Sequence, residues 1–209
     1  MNASVFETSW NRAWQGLHAA GSGLAVRDGV LARYAEPHRK YHTLQHLEEC
    51  LTLFEAVQHA PDRPAEVEMA IWFHDAIYEL CGSSDNERAS ADWAHEELRA
   101  AGVASEIADR VHALILITKH SGVPQTRDEQ VLLDVDLSIL GSAPARFAEY
   151  ELQIREEYGH VPGFLFRMKR RAILKSFLDR LAIYSTPLLR EQLEKQARIN
   201  LTKAIAGAA

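Results

Sequence analysis

Ala70-Ile71-Trp72-Phe73-His74-Asp75-Ala76-Ile77-Tyr78 places a histidine–aspartate pair inside an otherwise apolar run. The run belongs to a segment, 64–80, that has the helical period, and on a helix the neighbours of His74 are Ala70, Ile71, Ile77 and Tyr78. An imidazole on such a stripe points at the core and needs a polar partner there. The same period recurs outward from this segment, near 4–19, 24–35, 43–59, 85–101, 104–119, 128–140, 144–158, 163–183 and 187–206. Turn residues such as Gly21, Pro61, Gly82, Gly102, Gly141 and Pro187 separate the segments, and no strand-like alternation interrupts them. Ser84 followed by Glu87 fits a capping box and fixes one helix start. Short connections favour helices packed on their sequence neighbours, so the expected fold is all-α, one domain over 1–209.

Two further stretches carry groups that packing alone does not explain. In Tyr41-His42-Thr43-Leu44-Gln45-His46, the two histidines are four apart and are expected on one helix face. In Leu132-Leu133-Asp134-Val135-Asp136-Leu137-Ser138-Ile139-Leu140-Gly141, helical geometry separates the carboxylates. Asp136 has Leu132, Leu133, Ile139 and Leu140 as its neighbours, whereas Asp134 has Gln130 and Ser138 on a mixed, partly wet face. A carboxylate amid four aliphatic residues shifts its pKa upward or seeks a cation, so Asp136 is the ligand candidate and Asp134 a supporting or solvated residue. Singly, each group has an ordinary explanation as a hydrogen-bonded core histidine or a cap. Jointly, three separate helices each place imidazole or carboxylate where packing prefers hydrocarbon.

The ordered set His46, His74-Asp75 and Asp136 resembles the defining pattern of the HD superfamily of metal-dependent phosphohydrolases. Tyr41-His42 with His46 also resembles the Tyr-His segment of cyclic-nucleotide phosphodiesterases. Glu36-Pro37-His38-Arg39-Lys40-Tyr41-His42, the His74-Asp75 run, Asp85-Asn86-Glu87 and Asp134-Val135-Asp136-Leu137, with the stretch from Tyr158 to Leu201, look like a bacterial subfamily of predicted HD phosphohydrolases. The resemblance implies an HD-type helical bundle and a divalent ion (Mn, Fe, Co, Ni, Zn or Mg) held by His46, His74, Asp75 and Asp136. It implies hydrolysis of a phosphate ester or anhydride, of a nucleotide or related small phosphate, by a metal-activated water. Asp75 would then bridge ions or orient the nucleophile. His42 would protonate the leaving oxygen or, equally, orient a ligand through a hydrogen bond. HD nucleotidases acting on deoxynucleoside monophosphates carry an acidic residue one turn after the His-Asp pair. Here that position is Tyr78, a departure from their pattern. A non-catalytic nucleotide-binding module and a di-iron HD oxygenase are the alternatives. The second would draw on His95, His112 or His120.

Substrate contacts are expected from Arg39 and Lys40 as phosphate clamps, from Asn86 and Glu87 at a helix start, and from His120. Lys119 and the run Arg167, Lys169, Arg170, Arg171 and Lys175 read as helix-end and solvated-face cations. The formal net charge of -6 gives no footprint for nucleic acid or an anionic membrane, so phosphate must be attracted locally. Cys50 and Cys81 are not spaced as a metal or redox pair and read as buried, reduced thiols. The N-terminus lacks a signal-peptide pattern and no apolar stretch is long enough to span a bilayer, which predicts a cytoplasmic protein. A small-molecule phosphate is the expected partner, and a homodimer is left open.

Overall fold

The apolar run folds as a helix only as far as Phe73. In the computed structural model, which describes residues 4–80, 85–120 and 122–207, helix α4 spans Pro64–Phe73, and His74 and Asp75 lie in the turn that follows. The predicted continuation to residue 80 fails because backbone groups beyond the helix find other partners. Arg39 donates to the carbonyls of Asp75 and Ala76 at 2.6 and 2.9 Å, and the Ile77 amide donates to Ser90 Oγ at 2.9 Å. Every residue of α4 from Glu66 to Phe73 is buried, so its two acids need cations. Glu68 accepts from Ser9 and Arg12, and Glu66 accepts from Arg110, which ties the helix to its neighbours.

The other helices are α1 (Val5–Gly16), α2 (Leu24–Tyr34), α3 (Leu44–Val57), α5 (Asn86–Ala100), α6 (Ser105–Ile117), α7 (Arg127–Asp136), α8 (Pro144–Glu157), α9 (Gly163–Leu178) and α10 (Pro187–Gly207), with a 3-10 turn at Leu137–Gly141. The all-α, single-domain expectation holds among the described residues. α5 is capped by Asp85, whose side chain accepts from the Arg88 amide, one residue later than the Ser84 cap expected from sequence. Cys81, Gly82 and Ser84 themselves lie outside the described residues. A capping box does form at α7, between Thr126 and Glu129. Cys50 is buried with its thiol free.

Two hydrophobic clusters share the domain. The larger joins α1 to α7 around Trp10, Phe54, Trp72 and Leu132; Trp10 meets Trp72 edge-on at 5.0 Å. The smaller joins the 3-10 turn to α8, α9 and α10 around Tyr150, Leu174, Tyr184 and Leu201, and takes in Tyr41. α10 crosses the 3-10 turn so closely that a Cβ on Gly141 would stand 2.6 Å from Leu193 Cβ. Asp134 makes a second link between the two halves. Sequence placed it on a partly wet face, but it is buried and accepts from the Ser185 and Thr186 amides and the Thr186 hydroxyl, at 2.6–2.8 Å. Residue 136 therefore sits at the seam between the clusters, with Tyr41 and His42 facing it from the other side. No helix among the described residues is long and apolar enough to cross a membrane.

Candidate metal centre

Three helices deliver the cluster. His46 comes from the first turn of α3, His74 caps the C-terminus of α4 with Asp75 next to it, and Asp136 is the last residue of α7. His74 and Asp136 thus stand at helix C-terminal ends, where the negative end of the dipole favours a nearby cation. His46 Nε2 and His74 Nε2 lie 3.1 Å apart. Asp75 Oδ2 stands 3.1 Å from His74 Nε2 and 3.5 Å from His46 Nε2, and Asp136 Oδ1 stands 3.5 Å from each nitrogen. With metal–ligand bonds near 2.0–2.1 Å, neighbouring donors are separated by roughly 2.9–3.4 Å in octahedral or tetrahedral geometry. The observed separations fall in or beside that range. His46, His74 and Asp136 are thus placed within metal-binding distance of one another, and Asp75 faces the same two nitrogens.

The imidazole tautomers suit this role. His74 Nδ1–H donates to the Ile71 carbonyl at 2.7 Å, which leaves the lone pair on Nε2. The Cys50 sulfur stands 3.7 Å from His46 Nδ1 and 3.8 Å from its Nε2, and Nε2 is the nitrogen that faces His74, Asp75 and Asp136. Burial penalises charge on all four groups, yet contact between opposite partners prevails. Asp75 faces the His74 and His42 imidazoles, and Asp136 is hydrogen-bonded by His120 and faces His46 and His74; both are held well below the usual carboxylate range. His46, beside Cys50 and Tyr41, and His74, beside Asp75, are pushed well above the usual imidazole range. Such a nest of anions drawing positive charge onto buried imidazoles is one that a divalent cation satisfies directly.

His120 completes the cluster's outer side. Its Nε2 lies 2.9 Å from Asp136 Oδ2, and its backbone adopts a left-handed φ of 53° just beyond α6. A non-glycine residue in that conformation costs on the order of 1 kcal/mol or more and is kept where the surroundings require it. In this conformation the His120 side chain reaches Asp136. His120→Asn, which tolerates the same backbone, is expected to leave thermal stability nearly unchanged. It should lower metal affinity roughly 10–100-fold, measured by chelator competition. Equal affinity in the variant would remove His120 from the site.

A cleft of about 630 Å³ opens over the cluster. Its polar floor includes His42, Asp75, Asp136 and His120, and its walls include Leu137, Ile139, Ile154, Phe166, Ile173 and Phe177. Two buried polar atoms beside the cluster, Tyr41 Oη and His120 Nδ1, have no hydrogen-bond partner among the described residues, which marks the floor as a place for a polar ligand. His42 is not on the helix face predicted for it. It precedes the α3 N-cap Thr43, in a loop pinned by Glu157. Glu157 Oε1 accepts from the Lys40, Tyr41 and His42 amides at 2.8–3.0 Å, and its Oε2 accepts from His42 Nδ1 at 2.8 Å. The His42 ring also stacks on Tyr78 at 4.1 Å. Sequence reasoning missed Glu157, because an acid at the end of an ordinary amphipathic helix carries no signal of where the fold buries it.

Burial raises the Glu157 carboxyl, but His42 and the loop amides outweigh it and hold it at about 2. The bonds it makes therefore contribute fully above the ordinary carboxylate value and are lost as pH falls through about 2. The stability gap between wild type and Glu157→Gln at pH 7 is expected to shrink as pH drops from about 4.5 toward 2, followed by chemical denaturation. A gap that stays constant would contradict the charged role of Glu157.

The remaining predicted contacts divide. Glu87 lines the cleft, as does Lys119, although Lys119 is paired with Asp85 at 2.7 Å. Arg39 does not clamp phosphate: its side chain is wholly buried, and it donates to Glu36 and to the carbonyls of His42, Asp75 and Ala76. It positions the loop that carries the His-Asp pair. Lys40 is exposed, bonds the Pro37 carbonyl and stands outside the cleft lining. Asn86 clasps the backbone N–H and carbonyl of Glu79 at 3.1 Å each, and the Asp85 cap already places a carboxylate at the α5 start. Of the basic run, Lys169 and Arg170 reach the cleft. Arg170 is held by Glu151, whereas Lys169 has no ion pair or hydrogen bond among the described residues. Comparison of the chain with family models, with curated proteins and with solved structures returns no match.

Proposed function

We propose that the protein is a metal-dependent phosphohydrolase of the HD type, acting on a phosphate ester or anhydride with a sizeable organic part. The observation that carries this reading is the convergence of His46, His74, Asp75 and Asp136, the two carboxylates on the floor of the cleft and the two imidazoles buried against them, beside a carboxylate-held histidine. The four donors mix imidazole nitrogen and carboxylate oxygen, a set suited to Mn, Fe, Co, Ni or Zn more than to calcium. A divalent ion bound there supplies Lewis acidity, lowering the pKa of a water and drawing charge from phosphoryl oxygens.

The chain's own residues do the rest. His42 keeps Nδ1–H on Glu157, so the opposite nitrogen is the one that meets substrate. Oriented by Glu157, His42 donates a proton from that opposite nitrogen, Nε2, to the departing oxygen. The apolar walls receive the organic group and keep bulk water from the floor, and Lys169 meets phosphate charge at the mouth. The absence of a net basic field fits a substrate recognised locally rather than a nucleic acid.

The experiment is a screen of nucleotides, phosphate esters and pyrophosphates against the protein loaded with each first-row divalent ion and magnesium. Metal-dependent phosphate or pyrophosphate release is expected for part of the panel, with near-total loss in Asp75→Ala. Tight nucleotide binding without turnover for any ion would indicate a binding module instead. Two irons per chain with a visible absorption band would indicate oxygen chemistry.

A further inference from the structure

The floor of the cleft is polar, and its walls are not. Leu137, Ile139, Ile154, Phe166, Ile173 and Phe177 line them, drawn from the 3-10 turn, α8 and α9. Most polar side chains that line the cleft above the floor already have partners. The Thr118 hydroxyl donates to the Ile115 carbonyl at 2.7 Å, and Tyr78 and Tyr158 pair through their hydroxyls at 3.2 Å. Lys119 is held by Asp85, and Arg170 by Glu151. His160 and Lys169 are exposed and stand at the rim. Among the described residues, no asparagine, glutamine or serine side chain lines the cleft. Its buried polar atoms without a partner, Tyr41 Oη and His120 Nδ1, lie at the floor beside the His/Asp cluster.

A ligand hydroxyl or ring-edge nitrogen that loses its water between such walls needs a partner there, and binding weakens without one. A hydrocarbon chain needs none, and each methylene it buries adds to binding. We propose that the organic part of the substrate is a hydrocarbon tail, so that the protein acts on a lipid-like phosphate ester, alkyl or prenyl in character, rather than on a nucleotide or a sugar phosphate. The proposal rests on the phosphohydrolase reading for the phosphate end and adds the chemistry of the other end.

The geometry separates the two ends as an amphiphile requires. The phosphate end meets the floor at His42, Asp75, Asp136 and His120, and the tail lies between the 3-10 turn, α8 and α9. Ile139, Ile154 and Phe177 belong to the smaller hydrophobic cluster, whose packing holds this part of the wall in place. Ile173, farther out, is 48% exposed and leaves hydrocarbon that a tail would cover. At about 630 Å³ the cleft is of the size that takes a ligand with a substantial organic part, not a phosphate alone.

The test uses the full chain loaded with manganese or with zinc. n-Alkyl phosphates from ethyl to decyl, each kept below its micelle concentration, are compared with a nucleoside monophosphate and a hexose phosphate. The matching alkylphosphonates, which are not hydrolysed, are titrated by calorimetry. Both kcat/KM and phosphonate affinity are expected to rise roughly 2–4-fold per added methylene until the cleft is filled. The heat-capacity change of binding should grow more negative along the series. Ile173→Asp, which sets a charge on the half-exposed part of the wall, should flatten the rise, with circular dichroism checking the fold. A flat series in both readouts, or a nucleoside monophosphate preferred to decyl phosphate, would overturn the proposal. If no compound releases phosphate, the phosphohydrolase reading fails. A phosphonate affinity that still climbs with length then keeps the tail site, and one that does not overturns it as well.

Discussion

Asp136→Asn is expected to lose tight metal binding and to lower phosphate release by roughly 10²–10⁴-fold. The range corresponds to the ~3–5 kcal/mol typical of uncovering one member of a buried charge cluster. Asp136 Oδ1 is equidistant from His46 Nε2 and His74 Nε2, while Oδ2 takes the bond from His120. The amide keeps the shape of the side chain among its aliphatic neighbours but removes the anion that two buried imidazoles require. Elemental analysis after dialysis should find metal in the wild type and little in the variant, with the two folding alike by circular dichroism. A variant that keeps its ion at wild-type affinity would move the centre elsewhere.

The second large effect falls on the proton rather than the metal. His42→Gln is expected to retain the ion and to lose roughly 10²–10⁴-fold in turnover, the usual contribution of a general acid. The loss should depend on the leaving group. An ester whose leaving group departs as a stable anion, such as a nitrophenyl phosphate, needs no proton and should be hydrolysed by the variant almost as well as by the wild type. A merely structural role would slow both esters equally. Glu157→Gln should slow the ester with the poor leaving group in the same selective way, because it weakens the contact that orients His42.

Much of the fold and of the His/Asp cluster is legible in the sequence, and the parts that are not share a cause. Helical period located the ten α-helices of the described residues, because all but the fully buried α4 pack one face against their neighbours. Period also selected Asp136 over Asp134, since four aliphatic neighbours at three and four residues describe a direction in space. The same reasoning failed where the helix stopped. His74 and Asp75 were read as interior to a helix that ends at Phe73, and His42 as sharing a face with His46 when it precedes the N-cap. In both places the backbone is held by a distant side chain, Arg39 in the first and Glu157 in the second. Local pattern carries no information about a partner 115 residues away. Arg39 was misread for the same reason. A cation next to a histidine motif suggests phosphate until the fold shows its guanidinium filled by carbonyls. Asp134 is the converse, a residue set aside as wet that instead joins α7 to the start of α10.

A bound metal is what would make the cleft a hydrolase, and one measurement tests that most directly. The protein is stripped with a chelator, then reloaded with one ion at a time, while phosphate release is followed on the best substrate from the screen. Release is predicted to be absent from the stripped protein and to return in proportion to occupancy of the site. Release that continues undiminished after the metal is gone would contradict it.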